Sequence, residues 1–181
     1  MTTRDAILSA VNRPFAREGY GLVGVDALAA QAGVTKRTLY KHFGSKAGLF
    51  EAWLERRDAA TRRALFAAVE TRADTPRGEV MAVFEVLAML AHDPGFHGCP
   101  FSRALVELGE AQSASRAVAI RHKAALCDWF AERLRAAGLD EVDARAEELV
   151  VLYEGVLQRT ATARSPAAAA AAGRLAALRW P

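Results

Sequence analysis

The sequence predicts an all-α fold of about nine helices, three short ones at the N-terminus followed by a larger helical part. Two observations lead there. Apolar residues recur at three- and four-residue spacing along nearly the whole chain. Gly, Pro, Ser and Thr fall between these runs as start and stop signals, and no stretch alternates in polarity as a strand would.

The elements follow in order. Ile7, Val11 and Phe15 define the first helix, which should stop at Glu18-Gly19-Tyr20-Gly21 with Gly19 in a left-handed cap. Pro14 deletes a bond to the Ala10 carbonyl and should kink this helix, at about 3 kcal/mol if it stands mid-helix. A short second helix runs from Val25 to Ala32 and Gly33 closes it. Thr35 is a good N-cap for a third, Lys36 to Phe43. Gly44-Ser45 then restarts the chain for a long helix from Lys46 to about Arg72. Thr75-Pro76 opens the next, to about Ala91, because Pro suits the first helical position. Pro94 to Phe101 reads as a loop. Helices follow over Ser102 to Ala111, Ser115 to Ala137, and Asp140 to Ala163 with Asp140 as cap. Ser165-Pro166 opens the last, to about Arg179, in which the run Ala167 to Ala172 lets a neighbour approach closely.

Of the 181 residues, 52% are apolar, enough for a packed interior. Two cysteines, Cys99 and Cys127, are too few for a disulfide framework and suit a reducing compartment. The longest runs free of charge are nine residues, such as Ala27 to Thr35, whereas a membrane span needs about 20. With no secretory pattern at the start, a cytoplasmic protein without membrane contact is expected.

Charge is unevenly placed. Residues 1–57 carry nine Lys/Arg against five Asp/Glu, and no acid lies between Asp26 and Glu51. Lys36, Arg37, Lys41 and Lys46 fall inside that window. On a helical wheel Leu39 and Phe43 share one side of the third helix, while Arg37, Thr38, Tyr40 and Lys41 spread over the other. One side supplies core. The other supplies cations, a hydroxyl and a phenol, which are the groups that hold phosphates and reach base edges. With the preceding helix and the Gly33 turn this forms a short helix-turn-helix, and double-stranded DNA is the expected partner. A solvated charged face on an ordinary helix is the alternative.

The stretch FAREGYGLVGVDALAAQAGVTKRTLYKHFGSKAGLFEA, Phe15 to Ala52, resembles the DNA-binding segment of TetR-family transcriptional regulators. The resemblance implies a DNA-binding domain over residues 1–46 and a helical effector-binding and dimerisation domain over 47–181. It implies that Lys36, Arg37 and Lys41 lie toward base edges, and that Thr38, Tyr40, His42 and Lys46 contact the sugar-phosphate backbone. The chain departs from the family pattern at Val23-Gly24, where a Ser or Thr usually caps the second helix, and at Asn12 and Pro14, where apolar residues are usual. Phosphate contacts at the second helix then fall to backbone N–H groups.

The same resemblance implies a homodimer through the last two helices, with Leu149, Leu152, Val156 and Leu157 as a compatible apolar stripe; closure of the monomer core is the alternative use of that stripe. It also implies a small-molecule effector held among the middle helices, with Phe84, Leu87, Phe101, Leu105, His122, Trp129 and Tyr153 as candidate walls, His97 and Gln158 as further polar candidates, and plain core as the alternative. The expected function is a sequence-specific transcriptional regulator, a repressor under effector control. Alternatives are an effector-free architectural DNA-binding protein and a thiol-redox sensor using Cys99. No catalytic set, metal cluster or cofactor motif stands out, so neither enzymatic activity nor a cofactor is expected.

Overall fold

Ten α-helices and one 3₁₀ turn account for most of residues 2–178 and 180, which are the residues described in this computed structural model; no strand occurs among them. They are α1 Thr3–Ala10, α2 Asn12–Leu22, α3 Val25–Gln31, α4 Lys36–Phe43, α5 Lys46–Glu70, α6 Pro76–Leu90, α7 Pro100–Glu107, α8 Ser113–Ala136, α9 Val142–Ala163 and α10 Pro166–Ala177, with the 3₁₀ turn Glu110–Gln112 before α8.

The first expected helix is two helices, which raises the count from nine to ten. The interruption falls at Val11, and Pro14 becomes the third residue of α2. There its missing N–H is one of the donors that a helix start leaves unpaired anyway, so the expected cost largely disappears. Within α2, Gly19 leaves helical geometry at φ 81°, ψ −170°, a region open essentially to glycine alone. α7 begins at Pro100, two residues before the expected Ser102, with proline at a favoured first position. Asp140 does not cap α9: the cap is Glu141, at φ 54°, and no side chain bonds the helix start there. The expected end of the last helix, Arg179, lies outside the described residues.

The chain divides into two compact units. One comprises the chain up to Ala60 together with Pro100–His122. Its interior is aromatic: Phe15 meets Phe50 edge-on at 4.9 Å and Trp53 at 5.3 Å, with Leu28, Leu39 and Leu49 fully buried beside them. Buried Trp53 donates its indole N–H to Asn12 Oδ1 at 3.0 Å. The polar residue in α2 thus answers the one polar atom that a tryptophan brings into a core.

The other unit comprises Thr61–Cys99 and the chain from Lys123 onward. Phe84, Leu87, Trp129, Phe130, Leu149, Tyr153 and Val156 form its core. Phe66 stacks on Trp129 at 5.3 Å, and the Arg133 guanidinium lies 4.3 Å over the same indole while bonding Glu79 at 2.9 Å. The alanine run is helical, and Ala169, Ala172 and Ala176 are buried against α6 and α9. A Cβ at Gly173 would stand only 3.5 Å from Phe84 Cβ, which is the close approach the small residues allow. Leu149, Val156 and Leu157 are consumed by this core and Leu152 packs half-buried against it, so the stripe closes the core of the chain itself. The exposed large apolar residues of α9 and α10 are Val151 and Leu175, with Leu178 just beyond.

Candidate nucleic-acid interface

The α3–turn–α4 segment is assembled by local rules. Gly24 starts α3 without any side-chain bond, as Val23-Gly24 leads one to expect. Gly33 takes φ 65° in the turn, and Val34 N–H closes back on the Ala29 carbonyl at 3.0 Å. Thr35 then caps α4 by accepting from Thr38 N–H at 3.1 Å, and the Thr35 and Thr38 hydroxyls lie 3.0 Å apart. Gly44, at φ 74°, terminates the helix.

Leu39 is fully buried and anchors α4, and half-buried Phe43 lies under the Arg4 guanidinium at 5.1 Å. The opposite side is open. Lys36, Arg37, Tyr40, Lys41 and His42 are exposed and Thr38 is half-buried. Arg37 and Lys41 have no hydrogen-bonding or ionic partner among the described residues, so their donors face water. Lys36 is engaged by Asp26 of α3 at 2.8 Å, and that bond holds its ammonium above the ordinary lysine range. Both partners are largely exposed, so a phosphate or base edge can compete for the lysine. The His42 ring is tilted against Phe43 at 6.3 Å.

Lys46, at the start of α5, is placed differently. Its ammonium sits 4.4 Å from the centre of the Tyr20 ring and is half-buried. Burial pulls it below the usual lysine range, and the carboxylate of Glu107 opposes that pull.

Glu107 and Arg103, absent from the sequence-derived site, turn out to hold this region in place. Glu107 Oε2 accepts from Tyr20 N–H at 2.8 Å and from Gly21 N–H at 3.2 Å. Arg103 donates to the Ala16 and Arg17 carbonyls at 3.3 and 3.0 Å. One turn of α7 therefore caps both broken ends of α2 around Gly19. Arg116 in turn donates to the Leu105 and Leu108 carbonyls at 2.9 and 2.8 Å, closing the end of α7. The only sequence signal was Gly19 itself, which marks a backbone break but not what fills it.

The candidate effector walls fall in both units. Phe101, Leu105 and His122 belong to the first; His122 is buried, stacks on Phe101 at 3.7 Å and places Nδ1 2.7 Å from Asp58 Oδ1. Phe84, Leu87, Trp129 and Tyr153 belong to the second, all buried in its core, and burial drives the Tyr153 phenol upward. Phe84 also lines a groove of about 320 Å³ between α6 and α10. Gln158 is exposed and His97 half-buried.

Residues 7–53 match the family model of bacterial regulatory proteins, tetR family. SCO4454, a TetR-family transcriptional regulator from Streptomyces coelicolor, is 30% identical, with a TM-score of 0.84 over 95% of this chain and 90% of that one. The HTH-type transcriptional activator FasR of Mycolicibacterium smegmatis is 33% identical over 90 residues, which is 50% of this chain and 41% of that protein. A cysteine mutant of the TetR-family regulator CifR, solved with 26-base-pair operator DNA, shares the fold at 20% identity and a TM-score of 0.83, covering 100% of this chain and 98% of its own. A helix-turn-helix whose α4 is anchored by Leu39, the family model over the segment that holds it, and a likeness running nearly end to end with SCO4454 agree: the chain belongs to the TetR family of transcriptional regulators.

Proposed function

We propose that the chain is a homodimeric repressor that reads a two-fold symmetric operator with α4 and is released from it by a small apolar or amphipathic effector. The observation that carries this is the division of α4 into a fully buried Leu39 side and an exposed side holding Arg37, Tyr40 and Lys41. In this reading Lys36, Arg37 and Lys41 approach base edges, while Thr38, Tyr40, His42 and Lys46 bind the backbone. Residues 1–46 form the reading head and 47–181 the effector and dimerisation part. The exposed Val151, Leu175 and Leu178 support pairing through the last two helices, because each removes apolar surface from water when covered. The effector acts by binding the released conformation more tightly than the DNA-bound one. Selection of bound sequences from random duplexes with the purified chain tests the reading. A palindrome with half-sites about one helical turn apart is expected; enrichment of no symmetric site would sink it.

A second reading, a thiol switch at Cys99, is favoured by Lys123, whose Nζ donates toward Cys99 Sγ at 3.7 Å while pairing with Glu154 at 2.7 Å. The Cys127 thiol is pushed upward by burial and by Glu147, Asp128 and Asp143. Peroxide should then weaken operator binding in the wild type and leave Cys99→Ser unaffected; equal loss in both removes this reading.

A further inference from the structure

A cleft of about 270 Å³ lies between α1, α2 and α5, where Leu8, Ser9 and Asn12 face Trp53, Arg56 and Arg57. The sequence Glu55-Arg56-Arg57-Asp58 is neutral on paper, but the fold separates its signs. Asp58 pairs with His122 of α8 at 2.7 Å, and exposed Glu55 stands 3.9 Å from exposed Arg121 on the same helix. Both arginines are left lining the cleft.

Arg56 is held across the opening by α1, donating from Nη1 to the Asp5 carbonyl and from Nη2 to Ser9 Oγ, each at 3.0 Å. Ser9 Oγ donates to the Asp5 carbonyl at 2.9 Å, so the α1 acceptors here are occupied. The Asp5 carboxylate is tied to the Thr2 cap, though its charge still reaches Arg56. Asn12 spends its carbonyl oxygen on the Trp53 indole, which leaves a carboxamide NH₂ as its remaining function. Arg57 Nε is fully buried and has no hydrogen-bond partner among the described residues. The polar lining is therefore a set of donors short of acceptors. A buried guanidinium N–H without an acceptor carries an uncompensated desolvation cost, and a planar oxyanion is the group that relieves it, by a forked pair of bonds.

We propose that this cleft binds a compact organic anion, a carboxylate or a phosphate monoester, with Arg57 as the principal contact, Arg56 and Asn12 as supporting donors, and Leu8 and Trp53 as the apolar floor. The volume falls below the roughly 300–1,000 Å³ of pockets for drug-sized ligands, which limits the occupant to something small. The site does not depend on the effector walls proposed above: none of them is among the residues lining it, all of which belong to the unit that carries α4.

The test uses the ¹⁵N-labelled full chain and the indole N–H resonance of Trp53, identified by its loss in Trp53→Phe. Sodium benzoate and inorganic phosphate are titrated separately, with sodium chloride at matched ionic strength as reference. A saturable shift with one probe is expected, and the probe that saturates first identifies the source as carboxylate or phosphate. Arg57→Gln should weaken it by roughly tenfold or more, as the loss of a charge-assisted forked contact requires. Should Arg57→Gln lose its cooperative melt, Arg57→Lys keeps charge and stem, removes the fork, and should still weaken binding clearly. Shifts that only follow chloride, or that are equal in wild type and variant, overturn the proposal. So does a variant that loses affinity for random duplex while its Trp53 titration is unchanged, because Arg57 would then serve the DNA backbone.

Discussion

Gly19 and Glu107 occupy each other's space: a Cβ on Gly19 would fall on the Glu107 carboxylate, which is drawn in to accept the Tyr20 and Gly21 N–H groups. The glycine is required by its φ of 81°, and a Cβ there would also displace the carboxylate from the Tyr20 and Gly21 N–H groups. Gly19→Ala should cost about 1–3 kcal/mol from backbone conformation alone, with the collision added. Glu107→Ala should cost about 1–3 kcal/mol by leaving two backbone donors without their acceptor. The double variant should lose less than the sum, because the collision vanishes while the backbone strain stays. Urea unfolding of all four proteins measures this, and strictly additive losses would contradict the arrangement.

Asn12→Leu follows the family's apolar habit at that position yet should destabilise this chain by about 1–3 kcal/mol, since it strands the indole N–H of a Trp53 that is 2% exposed. Thermal melting of Asn12→Leu against wild type decides it. A neutral result would mean that water satisfies the indole.

Pro14 offers the opposite expectation. As the third residue of α2 it removes no bond that the helix would otherwise make within α2. Pro14→Ala should change stability by less than about 1 kcal/mol, compared with about 3 for a mid-helix proline. A gain of the larger size would show that α1 and α2 strive to be one helix.

On DNA, Arg37→Ala should lower specific binding by about 1–3 kcal/mol and relax preference at one base step. Lys46→Ala should weaken all sequences alike and flatten the salt dependence. Fluorescence anisotropy with the selected site and a scrambled one, across salt, separates the two. Unchanged operator affinity in Arg37→Ala would mean that another helix reads the groove.

How much of this was legible beforehand depended on distance along the chain. α4 matches the expected Lys36–Phe43 to the residue, because Thr35, Leu39 and Gly44 lie within one turn of what they specify. The break near Pro14, the positive φ at Gly19 and the close packing of the alanine run were likewise written locally. Glu107 was not legible as a cap, since its partners Tyr20 and Gly21 are 87 and 86 residues away. Nor could spacing tell whether Leu149, Val156 and Leu157 face a partner or their own core, as both uses want the same apolar stripe.

The sequence by itself determined the helical class, the bounds of α4 and the segregation of charge on it, because caps, periodicity and turn residues act over a few neighbours. Only the tertiary structure decided which polar side chains meet: Asn12 with Trp53, Glu107 with the backbone around Gly19, and Asp58 with His122, leaving Arg57 Nε without a hydrogen-bond partner among the described residues. Pairing of that kind depends on which helices pack together, and a buried donor takes whatever acceptor the packing brings within reach.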